Sequence, residues 1–149
     1  MSEWDKQLRD NSKVQHNLGL YLTDLGAAAD DPMMGLYYGL QARTRAISCR
    51  KALDEEDLEL ADTSMLEVYY ALNRARTVAA GSVAQTLTDA RAIIETLGAP
   101  SDAPDAAAKL LERFIEASAP LADEATGVLS STTATVASTT ITVASPTTT

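Results

Sequence analysis

The most regular hydrophobic pattern in the chain lies between Leu58 and Leu97. Apolar residues recur there at alternating steps of three and four, which places them along one side of an α-helix. They are Leu58, Ala61, Met65, Val68, Leu72, Ala75, Ala79, Val83, Leu87, Ala90, Ile94 and Leu97. Leu66, Tyr69 and Tyr70 add apolar surface outside this stripe. We therefore expect the segment to be the centre of a helical bundle, with neighbours on two sides.

A glycine interrupts this segment at position 81. Gly81 is suited to ending a helix, and Ser82 followed by Gln85 has the spacing of a capping box for a new one. The apolar stripe nevertheless passes through without a change of phase, which a single kinked helix would also explain. We favour a break into two helices at this point.

Two more helices are predicted before this segment. The first should run from Glu3 to Leu25, with Ser2 as its N-cap and Gly26 at its end. The second should begin at Pro32, directly after the capping residue Asp31, and continue to about Leu53. Its glycines at positions 35 and 39 share one side of the helix, which would let another backbone approach closely.

A linker and one more helix complete the predicted domain. Gly98 to Pro104 contains two prolines and a glycine, as expected of an internal linker. The next helix should cover about Asp105 to Ser118, after which Pro120 ends or kinks it and a short helical turn reaches Gly127. The predicted fold is an all-α bundle of four to five helices over residues 1–128.

The C-terminal arm, residues 129–149, has a different character. Thirteen of its last twenty residues are Ser or Thr, and none carries a charge. Val136 alternates with threonines, and Ile141 and Val143 do so in the opposite phase, which is typical of a β-strand with a turn. A disordered terminus and a glycosylated stalk are alternative interpretations of the composition. We favour an extended, β-prone arm that pairs with a neighbouring chain through these three residues.

The charge distribution argues against general nucleic-acid binding. The net charge is −9, and residues 52–128 alone carry −10, whereas residues 1–51 carry +1. Capturing phosphates needs several basic contacts, which an acidic chain with few lysines does not provide.

The N-terminal sequence MSEWDKQLRD lacks the apolar core of a signal peptide, and no apolar run approaches the length of a membrane span. We therefore expect synthesis in the cytoplasm and no membrane association.

No group of residues in the sequence suggests catalysis, a cofactor or a metal. His16 is the only histidine, and we expect it to be an exposed helix residue. Cys49 is the only cysteine, and its apolar neighbours predict a buried structural thiol. Asp54, Glu55, Glu56 and Asp57 lack the spacing of a calcium loop, so we expect them to begin a helix, where the dipole favours acids.

The basic residues Arg43, Arg45, Arg50 and Lys51 lie toward the end of the second helix. Cations at that end complement the helix dipole, which is sufficient to explain them. Contact with an acidic protein surface is the second explanation, and it makes Arg43 and Arg50 candidate interface residues.

These observations favour a non-enzymatic structural subunit that docks on its neighbours through the C-terminal arm, either as a homo-oligomer or among other subunits. Head–tail connectors and capsid-accessory proteins of virions share this general plan, although no family motif is present here. The alternative is a cytoplasmic helical adaptor or regulatory module that binds a single protein partner.

Overall fold

The computed structural model describes residues 2–131, and every regular element in that range is helical. The helices are α1 (Glu3–Leu25), α2 (Pro32–Asp54), α3 (Leu58–Val78), α4 (Gly81–Ile94) and α5 (Pro104–Ala117), with a 3-10 turn at Pro100–Asp102. A last helix, α6, covers residues 119–131. The all-α prediction is confirmed for the described residues.

The ends of the first two helices follow from local chemistry. The Ser2 side chain accepts a hydrogen bond from the backbone N–H of Asp5, whose own side chain completes a capping box. Gly26 ends α1 in the left-handed conformation at φ 66°. The Asp31 side chain accepts a bond from the backbone N–H of Met33, 2.9 Å away. Each of these boundaries was predicted from the sequence.

The central helix is α2 rather than the segment from Leu58 to Leu97, so the prediction of the bundle centre was wrong. Helix α2 packs against α1, α3, α4 and α5. Its buried residues face several directions, as a surrounded helix requires. They are Gly35, Leu36, Tyr38, Gly39, Leu40, Ala42, Ala46, Ile47, Cys49, Ala52 and Leu53. Many of them are small, so a search for large apolar side chains underestimates how deeply the helix is buried.

The two glycines of α2 are points of close approach, to a backbone at Gly35, as predicted, and to side chains at Gly39. A Cβ atom at Gly35 would lie 2.6 Å from the Cα of Ala79, just beyond the end of α3. A Cβ at Gly39 would lie 3.0 Å from the Leu121 side chain of α6 and 3.1 Å from that of Leu87 in α4. Helix α2 therefore has three neighbouring elements in contact with its glycine side.

The predicted break at position 81 is confirmed, but its chemistry differs from the prediction. Helix α3 ends at Val78, and Gly81 begins α4 with a positive φ of 61°. The predicted capping box is not formed, since α4 has no side-chain cap. The Ser82 hydroxyl instead lies 3.2 Å from a carboxylate oxygen of Glu124 in α6, and the Gln85 amide donates to Asp89.

The segment predicted as a linker, residues 98–104, is tied to α3. Pro100 is buried. The backbone N–H of Ser101 donates to Asp62 at 2.9 Å, and its hydroxyl donates to the other oxygen of the same carboxylate at 2.6 Å. Because both bonds end on one side chain of α3, the position of this turn depends on Asp62.

The C-terminal helix is longer than the predicted turn. Helix α5 ends at Ala117, and α6 begins after Ser118 with Pro120 in its first turn, where a proline costs no hydrogen bond. Helix α6 continues to residue 131, so it includes the first three residues of the predicted arm. The rest of the arm, residues 132–149, is called the distal arm below. It contains Val136, Ile141 and Val143 and lies outside the described residues, so its predicted β character is not tested.

Candidate interaction surfaces

A buried polar network joins α1 to α2. Asn11 is almost fully buried, and its amide donates to the backbone oxygen of Leu40 at 3.0 Å and to the hydroxyl of Thr44 at 2.7 Å. The Thr44 hydroxyl in turn lies 2.6 Å from the side-chain oxygen of Gln15. Asn11 and Gln15 are polar residues on the side of α1 that faces α2, and both meet polar partners there.

Arg43 extends this network to α5. One of its terminal nitrogens donates to the Asn11 side-chain oxygen at 2.8 Å, and its Nε donates to the backbone oxygen of Ile115 at 3.2 Å. Burial lowers the pKa of the Arg43 guanidinium, an effect that the negative charge of Asp123 partly offsets. Arg43 thus directs at least two donors into the molecule, and its contact with a partner stays a prediction.

Arg50 is also occupied within the molecule. Its Nε lies 3.1 Å from a carboxylate oxygen of Glu112 in α5, and a terminal nitrogen pairs with Asp54. The guanidinium carbon lies 5.0 Å from the centre of the Trp4 ring in α1. Arg50 therefore connects three helices, and its predicted interface role is likewise untested.

The other two basic residues of α2 point toward different neighbours. Arg45 pairs with Glu67 of α3 at 2.9 Å, and Lys51 pairs with Asp5 of α1 at 3.0 Å. The structure therefore distributes the four basic side chains around α2 and does not bring them together as one patch.

The remaining candidate residues, Cys49 and the acids before α3, make contacts within the fold. Cys49 is fully buried, as predicted, with its thiol 3.2 Å from the backbone oxygen of Ala61. Burial, followed by the nearby charge of Asp62, raises the pKa of the Cys49 thiol to about 12. Of the four acids predicted to begin the third helix, only Asp57 caps α3, by accepting from the backbone N–H of Leu60 at 3.1 Å. The prediction was wrong for the others, because Asp54 is the last residue of α2 and Glu55 and Glu56 form the turn that follows it. Among residues 2–131, no three His, Cys, Asp or Glu side chains form a group that could hold a metal ion.

A groove between α1 and α2 is the first open surface feature. Its wider part has a volume of about 330 Å³ and is lined mainly by His16, Gly19, Leu20, Thr23, Met34 and Tyr37. A narrower part of about 250 Å³ adjoins it, shares His16 and Tyr37, and reaches Ser12, Thr44 and Arg45. We call the two parts together the α1–α2 groove.

Three features shape this groove. The Tyr37 ring packs directly on Gly19, where a Cβ would lie 2.9 Å from a ring carbon. The Leu20 side chain is 54% exposed at the rim, and the exposed His16 lies beside it on α1, as expected for that histidine. In the sequence, this surface is indicated by Leu20, an apolar residue that does not lie on the side of α1 facing the core.

A second exposed surface lies on α3 and consists of Leu66, Tyr70 and Arg74, here called the α3 patch. Leu66 is 71% exposed and Tyr70 is 67% exposed, so the prediction that they add to the packed surface of α3 was wrong. The Arg74 guanidinium lies 4.0 Å from the ring centre of Tyr38 and 5.7 Å from that of Tyr70. Tyrosine and arginine are enriched at protein interfaces, which makes this patch a second candidate.

Helix α6 ends beside α1. Leu129 and Ser130, near the end of α6, line a cleft of about 410 Å³ together with Asp10, Lys13 and Asn17 of α1. At 3.6 residues per turn, Gly19 lies about half a turn around α1 from Asn17, whereas Leu20 and Lys13, seven positions apart, lie on nearly the same side. The α1–α2 groove and this cleft are therefore on different sides of α1 and approach each other along its exposed face.

Comparison with known proteins gives no match to a family model, to a curated protein or to a solved structure. None of the helices within residues 2–131 has both the length and the apolar character needed to cross a membrane.

Proposed function

We propose that this protein is a non-enzymatic structural subunit of a larger assembly, of the head–tail connector or capsid-accessory type found in virions. In this proposal the helical body is the folded unit and the distal arm docks on a neighbouring subunit.

The observation that carries the proposal is that, among residues 2–131, the buried core ends several residues before the distal arm begins. The last fully buried side chains are Leu121 and Ala125, on α6. The eighteen residues after Ser131 include three large aliphatic side chains and no charge. Natural proteins usually protect β-prone ends with charges, so an uncharged arm is expected where pairing is needed.

The body also offers surfaces on which a neighbour can dock. The α1–α2 groove and the α3 patch each combine exposed apolar groups with polar ones. The described residues contain no strand, so a sheet edge among them is not available to the arm. Docking into a helical groove, or pairing between two arms, is therefore the expected mode.

Truncation after Ser131 tests this function. We expect the native chain to form species larger than a monomer in sedimentation, and the truncated chain to stay monomeric with unchanged helical circular dichroism. Truncation after Ala144 is the matched control, because it keeps Val136, Ile141 and Val143. It should assemble like the native chain. Normal assembly without residues 132–149 would contradict the proposal.

An adaptor that binds one protein partner is the second candidate, and the α3 patch favours it. Two large exposed apolar side chains beside an arginine resemble the centre of a binding surface more than a solvated helix face. A full-length chain that stays monomeric at all concentrations, and binds a partner only while Leu66 and Tyr70 are intact, would support the adaptor.

A further inference from the structure

We infer that the α1–α2 groove is the acceptor for the distal arm of a second copy of this chain. The inference rests on the proposed function and adds the surface on which the arm docks.

The first argument is charge. The wider part of the groove contains no Asp, Glu, Lys or Arg, although the chain as a whole carries −9. The distal arm is also uncharged. By contrast, the cleft beside the end of α6 contains Asp10 and Lys13, which an apolar segment would desolvate at a cost. The narrower part includes Arg45, which is half-exposed and paired with Glu67. The arm can therefore cover the wider part of the groove without burying a full charge.

The second argument is the chemistry of the groove lining. Leu20 and Met34 provide apolar area for Val136, Ile141 and Val143, and methionine adapts its shape to what packs on it. His16 and the groove's hydroxyl and amide side chains supply polar groups that can pair with an extended backbone. An apolar floor with a few polar groups is typical of sites that bind a peptide segment.

The third argument is length. The groove follows α1 from Ser12 to Thr23, about 17 Å at 1.5 Å per residue, and continues to Ala27 beyond the end of the helix. The segment from Val136 to Val143 would span about 23 Å if extended at 3.3 Å per residue. The three aliphatic residues of the arm are thus spread over a length comparable to that of the groove.

The position of the end of α6 favours a groove on a second copy over the groove of the arm's own chain. Helix α6 ends beside a cleft lined by Asp10, Lys13 and Asn17, on a different side of α1 from the groove. An arm that crossed its own helix would use about five residues, roughly 16 Å of extended chain and Val136 among them, before it reached the groove. An arm from another copy can enter at an end and place all three aliphatic residues in the groove.

A complementation experiment with two variants tests the inference. The first variant ends at Ser131, so it keeps the groove and lacks the arm. The second is full-length and carries Leu20→Glu, which places a charge in the groove at a side chain exposed enough to leave the fold intact. We expect neither variant to assemble alone at the concentration where the native chain assembles. Mixed one to one, they should form a heterodimer, because the intact arm of one meets the intact groove of the other.

Two comparisons separate this inference from the proposed function. Leu60→Glu is the matched control, since it places the same charge at an exposed leucine of α3 that lies outside both candidate surfaces, and it should assemble normally. If truncation prevents assembly but Leu20→Glu does not, the groove is the wrong acceptor and the proposed function stands. If the truncated chain assembles, the proposed function itself fails.

The result of mixing the two variants distinguishes docking between copies from docking within one copy and from pairing between arms. A heterodimer supports docking of one copy's arm in another copy's groove. A mixture that stays monomeric overturns the inference, since arms that occupy their own grooves, or that pair only with other arms, cannot link these two variants.

Discussion

At the scale of single residues, Arg43 and Arg45 show how strongly the surroundings of a side chain determine its contacts. They are two positions apart on α2 and identical in chemistry. Arg43 donates to Asn11 and to the backbone oxygen of Ile115, whereas Arg45 makes an exposed ion pair with Glu67.

We predict that Arg43→Ala will lower the free energy of unfolding by ~1.5–3 kcal/mol, because it leaves buried hydrogen-bond acceptors without a charged donor. Arg45→Ala is the control and should cost ~1 kcal/mol or less, as exposed ion pairs do. Urea denaturation of the native chain and both variants measures the two losses in the free energy of unfolding. Equal losses would show that the network around Asn11 does not stabilise the fold more than a surface pair does.

The sequence indicated the identity of most residues in the core but not the partners of the polar ones. Cys49 and His16 were predicted correctly because a residue's immediate neighbours in a helix indicate its side of that helix. Asn11 was not, because its burial depends on Arg43 and Thr44, which lie more than thirty positions away. The only sign of this burial in the sequence was that a polar residue occupies a position of α1 that faces inward.

At the scale of elements, the turn at residues 98–104 depends on one side chain. Both hydrogen bonds from Ser101 end on the carboxylate of Asp62 in α3. A segment held in this way should resist proteolysis, although two prolines and a glycine would suggest otherwise.

We predict that Asp62→Ala will make this turn sensitive to proteinase K, while the native chain is cut there slowly. The mutation leaves the Ser101 N–H and hydroxyl without their acceptor, so the turn opens more often. Cleavage sites can be read by mass spectrometry. Glu59→Ala, an exposed change one turn earlier on α3, is the control. If both variants were cut at the same rate as the native chain, the contact with Asp62 would not be what holds the turn.

Both ends of α1 and the start of α2 were predictable, whereas helix arrangement was not. Ser2, Gly26 and Asp31 act within a few residues of their own position, so their effect is visible in the sequence. The central place of α2 comes from alanines and glycines that permit close approach on several sides. The small size of these residues indicates a central helix only when the neighbouring helices are known. The α1–α2 groove was missed for the same reason, since its two walls come from different helices.

At the scale of the whole molecule, the buried thiol couples stability to pH. The pKa of Cys49 is raised to about 12 in the folded chain, whereas an unfolded cysteine has a pKa of about 8.5. Between these values the unfolded chain loses a proton that the folded chain keeps. Stability contributed by the neutral thiol is therefore fully present below pH ~8.5 and falls as the pH rises toward 12.

We predict that raising the pH from 8 to 10 will cost the native chain ~1–2 kcal/mol more than it costs the Cys49→Ala variant. Urea denaturation at the two pH values measures both losses, and comparing the chains removes the contribution of tyrosines and lysines. If the two chains lost the same stability, the thiol would not be responsible for alkaline destabilisation.

Docking of one copy's distal arm in another copy's groove, as inferred above, would join two different surfaces at every link. Every added chain would then be rotated by the same operation relative to the one before it. Links repeated in this way close into a ring when the rotation divides a full circle, and otherwise continue as a helical filament. A row of copies that does not close has an empty groove at one end and an undocked arm at the other. A chain cut after Ser131 has a groove but no distal arm, so it can bind only the undocked arm and stops growth at that end. A small proportion of this chain should therefore shorten every filament in the mixture.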